Sequence, residues 1–167
     1  MRDPRSAQRP RASFANAIPA VTIRPARASD RGELVVLRRA LWPDGTIEEH
    51  DRDLERIFAA SFSPLPYAIL LADDEGIGGF IEVSLRSHAD GCETSPIGFI
   101  EGWYVIEPWR RRGYGALLLR AAEDWSRAQG CREIASDALI ENAESQRAHE
   151  ALGFEVVDRC VHYRKAL

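Results

Sequence analysis

The feature that most constrains this chain is an arginine- and glycine-rich turn, Arg110–Gly115, which joins two apolar segments. A strand-like segment, Gly98–Ile106, precedes the turn, and a helix-like segment, Ala116–Ala128, follows it. A turn that opens a helix leaves backbone N–H groups unpaired at the positive end of the helix dipole. Its glycines let an anion approach the backbone, and its arginines add donors and charge. The sequence therefore predicts a strand–turn–helix unit that binds a phosphate group, with a solvated arginine-rich turn as the alternative.

Two common phosphate-binding motifs do not fit this turn. A P-loop needs a lysine and a magnesium-binding hydroxyl after its last glycine, and Tyr114, Gly115 and Ala116 supply neither. A dinucleotide-binding fingerprint needs a third glycine, where this chain has Leu118, and its strand lies late in the chain. The remaining pattern, Arg-x-x-Gly-x-Gly between a strand and a helix, resembles the acetyl-CoA pyrophosphate loop of the GCN5-related N-acetyltransferases.

Composition predicts one folded domain after a disordered extension. The 167 residues are 45% hydrophobic and 29% charged, which suits a single globular domain, assigned to residues 21–167. Residues 1–20 are rich in Arg, Pro, Ala and Ser without apolar periodicity, so we expect them to be disordered. They carry a net charge of +3, which leaves −7 on the rest of a chain whose total is −4. This acidic domain disfavours nucleic acid and suits a cationic ligand, although solubility alone also explains such a charge.

Other classes of protein are disfavoured by what the sequence lacks. No apolar run approaches the roughly 20 residues that span a bilayer, and the N-terminus has no apolar signal segment, so we expect no membrane partner and a cytoplasmic location. The three cysteines lie far apart and form no Cys-x-x-Cys or Cys/His cluster. We therefore expect them to be reduced, with no metal site.

Apolar periodicity and turn signals predict an α/β (α+β) domain. A first strand, Val21–Pro25, precedes two helices that begin with the capping-box patterns Asp30-x-x-Glu33 and Thr46-x-x-Glu49. A hairpin follows, and after it a loop, Ser87–Pro96, that we expect to be mobile. The further predicted segments are Tyr67–Ala72, Ile77–Arg86, Gly98–Ile106, Gly113–Gln129, Glu133–Ser136, Asn142–Leu152, Phe154–Val157 and Val161–Arg164.

A second motif extends the resemblance to the N-acetyltransferases. In the corresponding family motif an asparagine opens the segment and Leu-Gly-Phe closes it. The segment Asn142–Phe154 begins and ends with these residues. The resemblance implies the family's fold, a mixed central sheet of six to seven strands flanked by about four helices, and acetyl-CoA as co-substrate. A tyrosine that protonates the CoA thiolate commonly stands four residues before the closing glycine, where this chain has His149. His149 is therefore the candidate general acid, or a contact of the pantetheine arm, or a structural histidine.

Several shorter segments are similar to the aminoglycoside 6′-N-acetyltransferases of bacterial antibiotic resistance. They are Leu41–Pro43, Thr94–Gly102, Ala135–Asp137, Ser145–His149 and Tyr163–Lys165, and the similarity runs from about Val21 to Leu167. In that family a tryptophan and three acids line the drug pocket, and these roles fall here on Trp42, Glu101, Asp137 and Asp158. A loop tyrosine that contacts the drug would lie near His88 or Ala89, and neither is a tyrosine, so the preferred drug stays open. The resemblance also implies a homodimer.

The residue chemistry agrees with this assignment. Aminoglycosides are polycations rich in hydroxyls, so their pocket needs several carboxylates. Glu101 lies within an apolar strand, where a carboxylate is poorly solvated unless it faces a cleft or an open edge. Asp137 ends a short strand, where ligand crevices of α/β proteins open, or it is a turn residue. Asp158 has the weakest support as a lone acid, and Trp42 is either a sugar-stacking wall or a hydrophobic plug.

These assignments predict direct acetyl transfer. We expect Glu101 to take the proton of the attacking amine, directly or through water, while Asp137 orients it, and Gly102 to introduce a bulge or bend in the strand. The family resemblance implies that this irregularity opens a cleft and frees an N–H near Tyr104 or Val105 for the oxyanion. No cysteine has a base partner, so a covalent enzyme intermediate is disfavoured. The alternatives are the same fold acting on another small amine, a polyamine or a protein N-terminus, and a non-catalytic acyl-CoA sensor. The expected acetyl-CoA contacts are Trp103, Tyr104, Val105, Arg110, Arg111, Arg112, Gly113, Tyr114, Gly115, Ala116 and Asn142.

Overall fold

The computed structural model describes residues 21–166, and the predicted disordered extension, residues 1–20, lies outside them. The described chain contains five strands and four α-helices. In order they are β1 (Thr22–Pro25), α1 (Arg31–Leu41), α2 (Ile47–Phe58), β2 (Tyr67–Asp73), β3 (Ile77–Arg86), β4 (Ile97–Val105), α3 (Tyr114–Ala128), β5 (Ile134–Ser136) and α4 (Ala143–Ala151).

The strands form one mixed sheet in the order β1-β2-β3-β4-β5. Neighbouring strands are antiparallel except β4 and β5, which are parallel. Helix α3 covers one face, where Leu118 and Ala122 pack against Val83 and Ile100. Helices α1 and α2 cover the other face, on which Leu34, Leu54 and Phe80 belong to a second buried cluster. The predicted fold class and the four helices are confirmed.

The predicted number of strands is wrong, because the described sheet has five strands and not six to seven. The segments Phe154–Val157 and Val161–Arg164, predicted as final strands, are irregular. A strand needs a neighbour that pairs with its backbone, and the outermost strand, β5, is only three residues long. Phe154 packs against the core, but the valines and Tyr163 of these segments face solvent, with Val161 69% and Tyr163 93% exposed.

Only one of the two predicted capping boxes forms. At the start of α2, the Thr46 hydroxyl accepts from the Glu49 N–H, and the Glu49 carboxylate accepts from the Thr46 N–H. The Asp30 carboxylate instead accepts from the N–H of Arg27, three residues earlier, and from the Arg24 guanidinium. The capping box predicted between Asp30 and Glu33 therefore does not form. The Asp30 carboxylate bonds groups that precede it in the chain, because Arg24 of β1 competes for it. This ion pair lowers the pKa of Asp30.

A β-bulge interrupts the pairing of β3 and β4 at Glu101. Glu82 pairs with Gly102 and Val83 pairs with Ile100, which leaves Glu101 without a partner on β3. The structure thus contains the bulge that Gly102 predicts. An extra residue shifts the side-chain alternation by one position. As a result, Glu101 and Gly102 both face the side of the sheet that carries α1.

The loop between β3 and β4 is attached to the sheet by Glu133. Its carboxylate accepts from the Glu93 N–H, from the Thr94 N–H at 2.6 Å and from the Thr94 hydroxyl. These bonds hold the pKa of Glu133 below its ordinary value, and the bond from the Thr94 hydroxyl has the largest effect. A carboxylate with a lowered folded-state pKa stabilises the fold above its unfolded-state pKa, and the effect disappears as the pH falls through the folded value. The attachment is therefore intact at neutral pH.

Replacing Glu133 with Gln should loosen this loop without unfolding the domain. We expect the Glu93 and Thr94 amides to exchange hydrogen about tenfold faster at neutral pH, because bonds to a charged acceptor are replaced by weaker bonds. In the wild type, the same loosening should appear only below the ordinary glutamate pKa of about 4.3. Hydrogen exchange corrected for intrinsic rates measures both effects, with the amides of α3 as the internal control. Equal exchange in the two proteins would show that Glu133 does not hold the loop.

Candidate active site

An open cavity of about 560 Å³ lies on the α1 side of the sheet. Its wall combines residues from α1, α2 and the α2–β2 connection with side chains of β3 and β4. Trp42 and Glu101, two of the predicted substrate-binding residues, both line it. The cavity size falls within the range of pockets that bind small organic ligands. The structure therefore brings the predicted tryptophan and the central-strand acid into one pocket.

Neighbouring side chains hold the Glu101 carboxylate in place. Its Oε1 accepts from the Ser84 hydroxyl at 2.5 Å and from Nε of Arg86 at 3.1 Å. Its Oε2 accepts from Nη2 of Arg86 at 2.7 Å, and the Arg86 guanidinium stacks on the Phe99 ring, 3.3 Å from its centroid. A carboxylate has about four acceptor sites. Glu101 therefore keeps acceptor capacity on Oε2 for a ligand donor.

A buried ionic cluster that the sequence analysis missed underlies the cavity. The fully buried Glu82 carboxylate accepts from Nη1 of Arg38 at 2.5 Å and from the Tyr67 hydroxyl. Burial raises the pKa of Glu82, against the opposing effect of Arg38, and burial together with Glu82 raises the pKa of Tyr67. The signal that could have found Glu82 is the one that identified Glu101, a carboxylate within an apolar strand.

Four neighbouring residues hold the Trp42 ring in place. The Arg38 guanidinium lies 4.9 Å from the centroid of its ring, and the Phe80 ring lies 6.2 Å away. The His50 ring stacks on it, and His50 Nε2 donates to the Trp42 carbonyl at 3.1 Å. Gly102 lies beneath it, so closely that a Cβ there would overlap the indole. Trp42 is thus a rigid, partly exposed wall of the cavity.

Asp137 follows the end of β5 at the level of Glu101. Ser136 is the last residue of β5 and pairs with Ile100, so Asp137 directly follows the paired segment, as Glu101 does on β4. Asp137 is exposed and does not line the cavity described above. The structure therefore places this predicted acid next to the bulge, at the point where β4 and β5 cease to pair.

His149 is hydrogen-bonded through both ring nitrogens. Nδ1 donates to the Ser145 carbonyl at 2.7 Å, and Nε2 accepts from the Ser136 hydroxyl at 2.9 Å. Its ring meets Trp103 and Phe154 edge to face at 5.3 and 5.1 Å. These contacts fix the imidazole between α4 and the end of β5. In this arrangement the ring proton lies on Nδ1 and is bonded to the Ser145 carbonyl, so Nε2 can pass a proton to Ser136 only from a ring that carries protons on both nitrogens.

The two remaining predicted substrate residues do not reach the cavity. His88 is exposed in the β3–β4 loop, with Nε2 3.7 Å from Asp90. Asp158 is exposed in the irregular C-terminal segment, where its carboxylate accepts from the Arg159 N–H. This segment touches the loop, because Val157 lies against Gly91. His88 and Asp158 therefore lie on neighbouring segments outside the pocket that contains Glu101.

The arginine- and glycine-rich turn has the geometry expected of an anion site. Arg111 and Gly113 have positive φ angles of 60° and 89°, and Gly113 is the N-cap residue of α3. Within residues 21–166, no hydrogen bond joins the backbone N–H groups of positions 111–116 to other protein groups. A Cβ at Gly113 would meet nothing within 4 Å, so the approach to these groups is open. The turn therefore offers unpaired donors at a helix N-terminus.

Three of the predicted acetyl-CoA contacts have other partners for their side chains. The Tyr114 side chain is buried and stacks on Trp109 at 4.6 Å, so only its backbone faces the turn. Nε of Arg110 donates to the Val105 carbonyl at 2.9 Å. The Asn142 side chain accepts from the Ser145 N–H and caps α4. The side chains of Arg111 and Arg112 are exposed beside the turn.

The outer edge of β4 is open beyond Ile100. Strand β5 pairs only with positions 98–100, so Trp103, Tyr104 and Val105 pair with β3 on one side and, within the described residues, with no strand on the other. The buried Nε1 of Trp103 has no hydrogen-bond partner in this part of the chain, and the Trp103 ring contacts Gly115. An open strand edge and an unpaired donor beside the anion turn suit an extended amide-containing ligand that carries phosphates.

The described residues contain neither a metal-binding cluster nor a membrane-spanning helix. In positions 21–166, His, Cys, Asp and Glu side chains form no group of three or more that could hold a metal ion. No helix of this region is long and apolar enough to cross a membrane.

The mixed sheet that opens between β4 and β5, and the anion turn at the start of α3, agree with the N-acetyltransferase fold that the sequence predicts. The sequence model of the Acetyltransferase (GNAT) family matches residues 34–154, and the chain belongs to this family. An aminoglycoside N(6′)-acetyltransferase type 1 of Klebsiella aerogenes is 38% identical over 87% of this chain and 96% of its own. Its counterpart from Serratia marcescens is 44% identical over 80% of this chain and 90% of its own.

Solved structures show the same similarity. AAC(6′)-Iy in complex with the bisubstrate analogue CoA-S-monomethyl-acetylneamine has a TM-score of 0.80 and 36% identity, covering 88% of this chain and 99% of that chain. AAC(6′)-Ih from Acinetobacter baumannii has a TM-score of 0.80 and 31% identity, covering 89% and 99%. The similarity extends over most of the chain and is not limited to the two sequence motifs.

Proposed function

We propose that this protein transfers the acetyl group of acetyl-CoA to the 6′-amine of aminoglycoside antibiotics and so confers resistance to them. The observation that carries the proposal is the position of Glu101. The bulge turns this carboxylate into a cavity walled by Trp42, at the point where β4 and β5 separate. A cationic acceptor and an extended acyl donor would meet there. The names of the relatives support aminoglycosides as the acceptors.

Acetyl-CoA supplies the activated acetyl group, and two parts of the chain have the donors to hold it. The N–H groups at positions 111–116 would bind the pyrophosphate, with Arg111 and Arg112 adding charge. The open backbone edge of Trp103, Tyr104 and Val105 would bond the amides of the pantetheine arm. The observations that support this fit are the unpaired N–H groups of the turn and the unpartnered Trp103 Nε1.

The proposed chemistry is direct attack of the amine on the thioester. Glu101 removes a proton from the acceptor ammonium, directly or through water, and Asp137 orients the amine from the neighbouring strand. A backbone N–H near Tyr104, beyond the bulge, stabilises the developing oxyanion. His149 remains the proposed proton source for the leaving thiolate: with protons on both ring nitrogens, it donates from Nε2 to the Ser136 oxygen while the Ser136 hydroxyl proton passes to the thiolate.

The loop and the C-terminal segment form the proposed outer part of the substrate site. His88 and Asp158 lie on these two segments, which touch where Val157 contacts Gly91. We infer that they contact acceptor groups that project from the cavity.

The exposed Val156, Val157 and Val161 support a homodimer, in which a second copy covers this C-terminal segment. Sedimentation at micromolar concentration should give the mass of two chains, whereas the mass of one chain would contradict the dimer.

We place this activity in one domain, residues 21–167, and in the cytoplasm, where acetyl-CoA is available. Neither proposal requires a metal, nucleic acid or a membrane as partner.

The role of the turn predicts an effect of Gly113→Ala on acetyl-CoA. A side chain there would occupy the open approach to the N–H groups and raise the KM for acetyl-CoA about tenfold, with little change in the KM for the acceptor. Gly130→Ala is a matched control, because Gly130 has a similar φ of 86°, has equally open surroundings and lies at the other end of α3. Both changes should destabilise the fold by about 1 kcal/mol. An equal KM increase in both variants would refute the assignment of the turn.

Release of free CoA thiol measures the activity directly. The purified protein should release thiol from acetyl-CoA with 6′-amino aminoglycosides and much more slowly with polyamines or peptides. Turnover of polyamines or peptides, but of no aminoglycoside, would show that the acceptor belongs to another class of amine. Acetyl-CoA binding without turnover of any amine would instead favour a sensor.

A further inference from the structure

We propose that Asp53 binds a second ammonium group of the acceptor and thereby selects acceptors that carry amines beyond the reacting one. The proposal rests on the proposed function for the class of acceptor. Asp53 lies on α2 and lines the cavity that contains Glu101 and Trp42. No sequence motif indicated it, because an acid on an exposed helix usually has no specific role.

Three carboxylates line the cavity, and they differ in the acceptor capacity that remains. Glu82 is fully buried and is bonded by Arg38 and Tyr67. Glu101 already accepts three hydrogen bonds from Ser84 and Arg86. Within residues 21–166, Asp53 accepts no hydrogen bond from a side chain, and its ion-pair contact is Nη2 of Arg38 at 3.7 Å. Asp53 is therefore the cavity carboxylate with the most capacity for a new donor.

Arg38 cannot satisfy Asp53 in its present position. Its Nη1 is bonded to Glu82 at 2.5 Å, and its guanidinium lies over the Trp42 ring. Moving it towards Asp53 would leave the Glu82 carboxylate buried without its cation, which is strongly unfavourable. A ligand ammonium at hydrogen-bond distance would interact with Asp53 more strongly than Arg38 does at 3.7 Å. The surroundings therefore leave room for an added positive charge.

The position of Asp53 also indicates which amine it meets. Its side chain is 38% exposed, against 26% for Glu101 and 1% for Glu82. The reacting amine belongs at Glu101, so the rest of a multi-ring acceptor extends outwards past the more exposed acid. Glu82 is paired with Arg38 and Glu101 with Arg86, so Asp53 is the cavity carboxylate whose charge no close guanidinium balances, and it suits an ammonium group beyond the reacting one.

The test compares acceptors that differ in their number of amines. Asp53→Asn should raise the KM for aminoglycosides with several amines about tenfold, the usual effect of losing one charged hydrogen bond. The kcat and the KM for acetyl-CoA should stay within about twofold, because the reacting centre is unchanged. An acceptor whose reacting amine is its only amine should show little change in KM. Glu55→Gln is the matched control, because Glu55 lies on the same helix but outside the cavity.

Further readouts separate binding from folding and from the proposed function. Asp53→Glu keeps the charge and should retain the preference for several amines even if Asp53→Asn is destabilised. Calorimetry with a diamine and a matched monoamine tests the site without turnover, and Asp53→Asn should remove the advantage of the diamine. An equal KM increase for all acceptors, or an unchanged diamine advantage, would overturn the role of Asp53. Failure of the wild type to turn over any aminoglycoside would instead overturn the proposed function. In that case the calorimetric comparison of the diamine with the monoamine would still test whether Asp53 binds a second ammonium group.

Discussion

Replacing Glu101 with Gln is expected to lower kcat/KM for aminoglycosides by about 100-fold or more, because general-base catalysis typically contributes factors of 10²–10⁴. Gln keeps the size of the side chain, and its single amide oxygen can still accept from Ser84 and from Nε of Arg86, whereas the bond from Nη2 of Arg86 is lost. Arg86 is partly exposed and can move, so the cavity should keep its shape. The amide cannot take a proton from the acceptor. The KM for acetyl-CoA should therefore change little, and the loss should appear in kcat at saturating acceptor.

Two controls separate this role from electrostatic attraction of the acceptor. Glu75→Gln removes a carboxylate at the exposed tip of the β2–β3 hairpin, outside the cavity, and should leave the kinetics unchanged. Ser84→Ala removes one bond to Glu101 and should produce an intermediate loss. If Glu101→Gln raised only the acceptor KM and left kcat intact, Glu101 would be a binding residue and not the base.

Replacing Gly102 with Ala should disable the acceptor pocket. The added methyl group would overlap the six-membered ring of Trp42 and approach Leu41 at about 3.1 Å. His50, Phe80 and Arg38 hold the indole on its other sides, so relief requires displacement of the cavity wall. Overpacking of this kind costs about 1–3 kcal/mol of stability. We expect a lower melting temperature and at least a tenfold fall in kcat/KM for the aminoglycoside.

A second substitution at Trp42 tests the cause of this effect. Trp42→Phe removes part of the ring that the new methyl group meets, so the double variant should be more stable than the sum of the single effects predicts. Gly32→Ala, at a helical glycine with open surroundings, is the control for adding a methyl group and should not lower stability. Strict additivity of Gly102→Ala and Trp42→Phe would show that the two residues do not compete for space.

The local chemistry of the turn made the centre of this fold predictable. The order of strand, glycine turn and helix required no long-range information, and the apolar periods of β2, β3, β4 and α3 placed those elements to within about two residues. Glu101 was recognisable because a carboxylate in an apolar strand is conspicuous. Glu82 carries the same signal one strand away, but nothing in the local sequence shows that Arg38 of α1 and Tyr67 of β2 will meet it.

The errors arose where pairing over long distances decides the outcome. The C-terminal segments have the alternation of strands, but β5 offers only a three-residue edge, so alternation alone did not make them strands. Asp30 has the sequence of a cap, but Arg24 from β1 occupies its carboxylate. Asp53 was invisible because its environment depends on Arg38 being held by Glu82. Such competition among partners is a property of the folded chain and not of a local pattern.

The central claim is best tested by the position of the new amide in the product. The protein would be incubated with acetyl-CoA and an aminoglycoside that carries a 6′-amine and several other amines, and the purified product would be analysed by two-dimensional NMR. A single acetyl group on the 6′-nitrogen is the predicted result. An acetyl group on any other nitrogen, or recovery of unmodified drug, would contradict the proposed function.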